Sequence, residues 1–105
     1  MNDAEINLAI AKIEYPDADV SMFSEDGSAV TIPNIGWGVT DYCNDWSDIG
    51  PIIEREKIKL FSSEGVDWKA TLVKPCSELG YRVWTQEAET PTKAAALCYL
   101  KMKGQ

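Results

Sequence analysis

The side chains able to do chemistry in this 105-residue sequence are carboxylates, thiols, tyrosines and lysines, because it contains no histidine. Without an imidazole, a serine or cysteine nucleophile lacks its usual proton acceptor. Cys43, Cys76 and Cys98 stand far apart with no Cys-x-x-Cys pair, so zinc sites of the Cys/His type are excluded and no metal is expected. Their odd number, in a chain with no export signal, argues for reduced thiols, with Cys43 inert. Two acid pairs, Asp45 with Asp48 and Glu54 with Glu56, have spacings suited to a general acid and base. Helix capping explains the first pair better, and a solvated helix face the second. Gly36-Trp37-Gly38 lacks the third glycine and the following helix of a phosphate loop. With no constellation left, the expectation is a non-enzymatic protein with no catalytic residue and no cofactor.

Recognition chemistry is better represented. The net charge of −7 is uneven: residues 1–50 hold ten acids against one base, and residues 51–105 hold seven acids against nine bases. An acidic chain of this size is repelled by phosphate backbones, so direct nucleic-acid binding is not expected. The acidic half could instead compete for a basic groove on another protein, through Asp17, Asp19, Glu25 and Asp26, with steering that raises association rates roughly 10- to 1,000-fold. Acidity that merely keeps the protein soluble is the plainer account. A second set, Trp37, Trp46, Trp84, Arg55 and Arg82, could stack a base and hold a phosphate, as a binder of a nucleotide-like signal would. Tryptophans in so short a chain are more often core. The glycines around Trp37 either let a ligand approach the indole or permit a bend, and the bend is favoured.

The elements that must position these residues follow from period and punctuation. Asn2 to Glu14 reads as an amphipathic helix with Ile6, Ile10 and Ile13 on one face, Asn2 and Glu5 forming a capping box, and Tyr15-Pro16 ending it. From Asp19 the period becomes two, with Val20, Met22, Val30 and Ile32 arranged as a hairpin about Asp26-Gly27. The stretch Asp41 to Leu60 concentrates a turn, a tryptophan and a helix. That helix starts between Asp45 and Asp48, near enough to Pro51 for its first turn, and buries Ile49, Ile52 and Ile53. Glu54, Arg55 and Glu56 read as its solvated side, where ion pairs contribute only about 0 to 1 kcal/mol. Strands are expected at Ile58 to Phe61, Val66 to Val73 and Tyr81 to Gln86, the middle one turning Val66, Trp68, Ala70 and Leu72 to the core. Arg82 and Trp84 fall on one face of the last strand, Tyr81 and Val83 on the other. A last helix starts at Thr90-Pro91 and stops at Gly104. It is apolar nearly all round, so it is either heavily buried or packed against a second subunit, a possible homo-oligomer through the C-terminal helix.

The fold class expected is α+β: one domain over residues 1–105, about three helices on an antiparallel sheet of about five strands, in the order α-β-β-α-β-β-β-α. No apolar run spans a bilayer and the N-terminus is acidic, so no membrane is involved and the host cytoplasm is the expected location. Blocks along nearly the whole chain are similar to the phage NinX-like family of small phage and prophage proteins. They are Asp3-Ala-Glu-Ile-Asn-Leu-Ala, Tyr42-Cys-Asn, Pro51-Ile-Ile-Glu, Ile58-Lys-Leu, Trp68-Lys-Ala and Thr90-Pro-Thr-Lys-Ala-Ala-Ala-Leu-Cys-Tyr-Leu-Lys-Met. The resemblance lapses between Pro16 and Thr40 and between Pro75 and Gly80. It implies an α+β arrangement and brings no catalytic residues. With the charge distribution, it gives the working expectation of an accessory protein that binds and modulates a host protein, such as a defence or nucleic-acid-handling factor. A small-ligand binder or a structural oligomer are the alternatives.

Overall fold

The computed structural model describes residues 2–22, 30–31, 40–62, 67–76, 78 and 80–104. Helix α1, Asp3–Glu14, begins at the expected capping box: the Asn2 side chain accepts from the Glu5 N–H at 2.8 Å and Glu5 accepts from the Asn2 N–H at 3.2 Å. Two orphan donors are thereby satisfied reciprocally. Tyr15 leaves the helical region just before Pro16 and caps the end.

Strands β1, Ser21–Met22, and β2, Val30–Thr31, pair antiparallel, and Val30 is bridged on to Thr40. The turn around Asp26-Gly27, and Trp37 with its glycines, lie outside the described residues. Helix α2, Trp46–Glu56, starts at the beginning of the expected range, the Asp45 carboxylate capping it by accepting from the Ser47 N–H at 2.8 Å. Pro51 consequently sits in the second turn, not the first. It forgoes one intrahelical hydrogen bond there. Lys57 closes α2 in the left-handed conformation, at φ 57° and ψ 45°.

Strands β3, Lys59–Ser62, β4, Trp68–Pro75, and β5, Tyr81–Ala88, form an antiparallel sheet in that order, with all eight residues of β4 in register with β5. The expected five-stranded sheet is not what forms among the described residues. The alternation that identifies a strand carries no record of which sheet it joins, and β1 with β2 stand as a separate ribbon.

Helix α3, Pro91–Met102, is the hub. Thr90 caps it, Pro91 occupies its first turn, and Thr92, Ala94, Ala95, Ala96, Cys98, Tyr99 and Leu100 are all buried. The alanines let it lie close on Ala70 and Leu72, which are fully buried on the inner face of β4. It packs on all three strands of this sheet and on α1 and α2. Of the two readings of this apolar helix, heavy burial within the chain is the one seen among the described residues. Ile6, Ile10, Ile49 and Ile52 complete one core, with α3 at its centre.

Candidate functional site

The buried polar groups hold elements together. Asn7, on α1, is fully buried. Its Nδ2 donates to Asp41 Oδ1 at 2.8 Å and its Oδ1 accepts from the Cys43 N–H at 3.0 Å. Thr92 on α3 donates to the Cys43 carbonyl at 2.6 Å, and the Asp41 N–H donates to the Asp48 carboxylate at 2.9 Å. The residues 41–48 that look reactive in sequence are thus a junction of three helices. Burial, chiefly, pushes the Cys43 thiol up to about 12 and the Cys98 thiol up to about 11, which makes both poor nucleophiles. All three cysteines are free thiols.

A second network lies across the C-terminal ends of α1 and α2. Arg55 grips Glu14 with both terminal nitrogens, at 2.9 and 3.0 Å, and its Nε reaches Glu56 at 2.9 Å. The Tyr99 hydroxyl, on α3, donates to Glu14 and accepts from Arg55 at 3.2 Å. Lys74 reaches the other oxygen of Glu56 at 2.9 Å. Of the residues read as a solvated side, Glu54 and Arg55 are exposed as expected, whereas Glu56 retains only 12% of its side-chain exposure, and its neighbour in the network Glu14 only 16%. Burial raises the Glu14 carboxyl, but the hydrogen bonds from Arg55 and Tyr99 outweigh it and hold it below the usual range. Periodicity could not have announced the pairing, since its partners are 41 and 85 residues apart.

Of the acidic candidates, Asp17 and Asp19 are exposed in the connection from α1 to β1, and Glu25 and Asp26 lie outside the described residues. The aromatic and basic candidates do not converge. Trp46 is the first residue of α2 and 53% exposed, Arg55 is engaged as above, and Trp37 lies outside the described residues. Trp84 is packed against the core with the Arg82 guanidinium 5.0 Å over its ring. A cleft of about 360 Å³ is lined by Asp3, Asn44, Glu87, Glu89, Lys93 and neighbours, and another of about 180 Å³ by Tyr15, Thr40, Tyr42, Asp48 and neighbours. Neither is lined by Trp46, Arg55, Arg82 or Trp84.

Residues 1–103 match the family described as Bacteriophage P22, NinX. This chain belongs to the NinX family. No curated protein matches it. Among the described residues of this NinX-family chain, no helix is long and apolar enough to cross a membrane.

One surface escaped the sequence reading in part. The outer face of the sheet carries Phe61, Val73, Tyr81 and Val83, four of the five large hydrophobic side chains exposed among the described residues. Register aligns them in rows: Pro75 beside Tyr81, Val73 beside Val83, Lys59 with Thr71 and Thr85, and Phe61 with Lys69 and Glu87. Alternation already separates Tyr81 and Val83 from Trp84. That the opposite face stays open among the described residues is a fact of packing.

Proposed function

We propose that this phage-encoded chain works without catalysis, in the cytoplasm of the infected host, by binding and modulating a host protein through its acidic surface. The observation that carries this reading is how the charges are spent. Of the cations in the second half, Arg55 is committed to Glu14 and Glu56, Lys74 to Glu56, Lys93 to Asp3 and Lys69 to Glu87. Asp17 and Asp19, by contrast, are exposed with no ion-pair partner among the described residues. Lys57, Lys59, Arg82, Lys101 and Lys103 have no ion pair among the described residues either, so the surface is acidic because carboxylates outnumber cations by seven. Such a surface suits a basic groove that ordinarily receives a phosphate backbone, which makes a nucleic-acid-handling or defence factor the fitting class of partner.

The test is a fourfold charge reversal, Asp17→Lys, Asp19→Lys, Glu25→Lys and Asp26→Lys. Parent and variant are each used to capture proteins from host lysate at low and high salt. The expected result is a partner retained by the parent at low salt, weakened at high salt and lost from the variant. A partner held equally by both proteins overturns the acidic-surface reading.

A further inference from the structure

We propose that the open face of the β3-β4-β5 sheet is a self-association surface, occupied by the same face of a second copy of this chain. Three observations select that occupant. The first is composition by row: Tyr81, Val73 and Val83, exposed by 72%, 41% and 59%, cluster at one end, while Lys69 and Glu87 stand 3.8 Å apart at the other, in one row with Phe61, itself 45% exposed. A two-fold axis running along β4 between two such faces sets the apolar end against its own copy, and the charged end against its own copy. Lys69, on the strand along the axis, then meets its own copy, each accompanied by the Glu87 of its own chain.

The second is the placement of charge. The strand residues of this face carry two lysines, Lys59 and Lys69, against one glutamate, Glu87, in a chain whose net charge is −7. The acid surplus therefore lies elsewhere. Face-to-face sheets pack about 10 Å apart. Helices then lie outermost on both sides, and the two acidic surfaces are held apart by several times the ~8 Å screening length of physiological salt. An edge-to-edge or helix-to-helix pairing would bring the acidic surfaces together instead.

The third is area. Strands β4 and β5 run eight residues and β3 four, which at about 3.3 Å per residue and about 4.8 Å between strands gives a footprint of roughly 300 Å² per copy. Two such faces amount to roughly 600 Å² in projection, below the ~1,000 Å² of a stable specific interface and in the range of weak, transient contacts. The geometry points to a weak, concentration-dependent dimer.

Sedimentation equilibrium on the full chain from about 1 to about 500 µM, the range that suits an interface of this size, decides it. The weight-average mass is expected to rise from 11.7 kDa toward twice that value. Tyr81→Lys with Val83→Lys alters only exposed positions, so the fold is retained, as circular dichroism checks, and the mass should stay monomeric throughout. Val83→Thr keeps the strand-favouring branched shape and is expected to shift dimerisation to several-fold higher concentration. A parent that stays monomeric at every concentration overturns the proposal, as does a double-lysine variant that associates like the parent. The host-capture experiment alters other residues and another readout, so failure of one reading is distinguishable from failure of the other.

Discussion

At the scale of single residues, the groups with perturbed protonation are engaged in joining elements. Glu14 shows how this couples stability to pH. A glutamate in the unfolded chain titrates near about 4.3, whereas Glu14 in the fold is held lower by Arg55 and Tyr99 against the opposing effect of burial. Its contribution is complete above the unfolded value and is lost as the pH falls through the folded one. Glu56 is lowered in the same way, burial again opposing the hydrogen bonds from Arg55 and Lys74. Asp48 acts in the opposite sense: burial raises it, so it takes up a proton in the fold first and recovers stability on acidification. Glu14→Gln is expected to lower stability at neutral pH and to flatten its decline toward acid. Urea unfolding of parent and variant at about pH 7 and about pH 3 checks this; parallel declines would refute the assignment. Asn7 and Thr92 are invisible to a search for chemistry by residue type, because a buried amide looks in sequence like any surface one. Their role follows only from where α1, the 41–45 turn and α3 meet.

Elements were legible wherever a local rule suffices. The Asn2 capping box, the Tyr15-Pro16 stop and the Thr90-Pro91 start depend on neighbours within four residues, and the structure has each of them. Sheet membership is not local, and among the described residues β1 and β2 stand apart from the β3-β4-β5 sheet. Helix α2 departs furthest from an ideal helix. It contains Gly50 and Pro51, and it ends on a lysine held at positive φ. A Cβ on Gly50 would meet nothing within 4 Å. Gly50→Ala should therefore stabilise the protein by about 0.5 to 1 kcal/mol, and Lys57→Gly by about 1 kcal/mol through relief of the left-handed penalty. Thermal unfolding midpoints above the parent's, for each variant alone and roughly additive together, are the expected outcome. A loss in the glycine variant would mean that the Lys57 side chain contributes more than its backbone costs.

At the scale of the molecule, organisation is radial around α3, and protection against solvent should follow the same order. Amide hydrogen exchange is expected to be slowest in α3 and β4, which supply much of the fully buried core, and fastest in the two-residue strands of the β1-β2 ribbon. A ribbon protected as well as β4 would contradict this ordering. The division of charge into an acidic and a basic half, plain in the sequence, is partly undone in space. Glu14 and Asp3 from the first half are bound by Arg55 and Lys93 from the second. That was not legible because a charge count ignores which residues meet. The same radial plan bears on synthesis. Ile6, Ile10 and Leu72 are all made before α3, to which the alanine face that covers them and the tyrosine that receives Arg55 belong. Translation adds about 5 to 20 residues per second, so for some seconds the nascent chain displays its apolar residues with no partner for them. Folding of this core is therefore expected to wait for α3, the helix that packs on α1, α2 and the sheet.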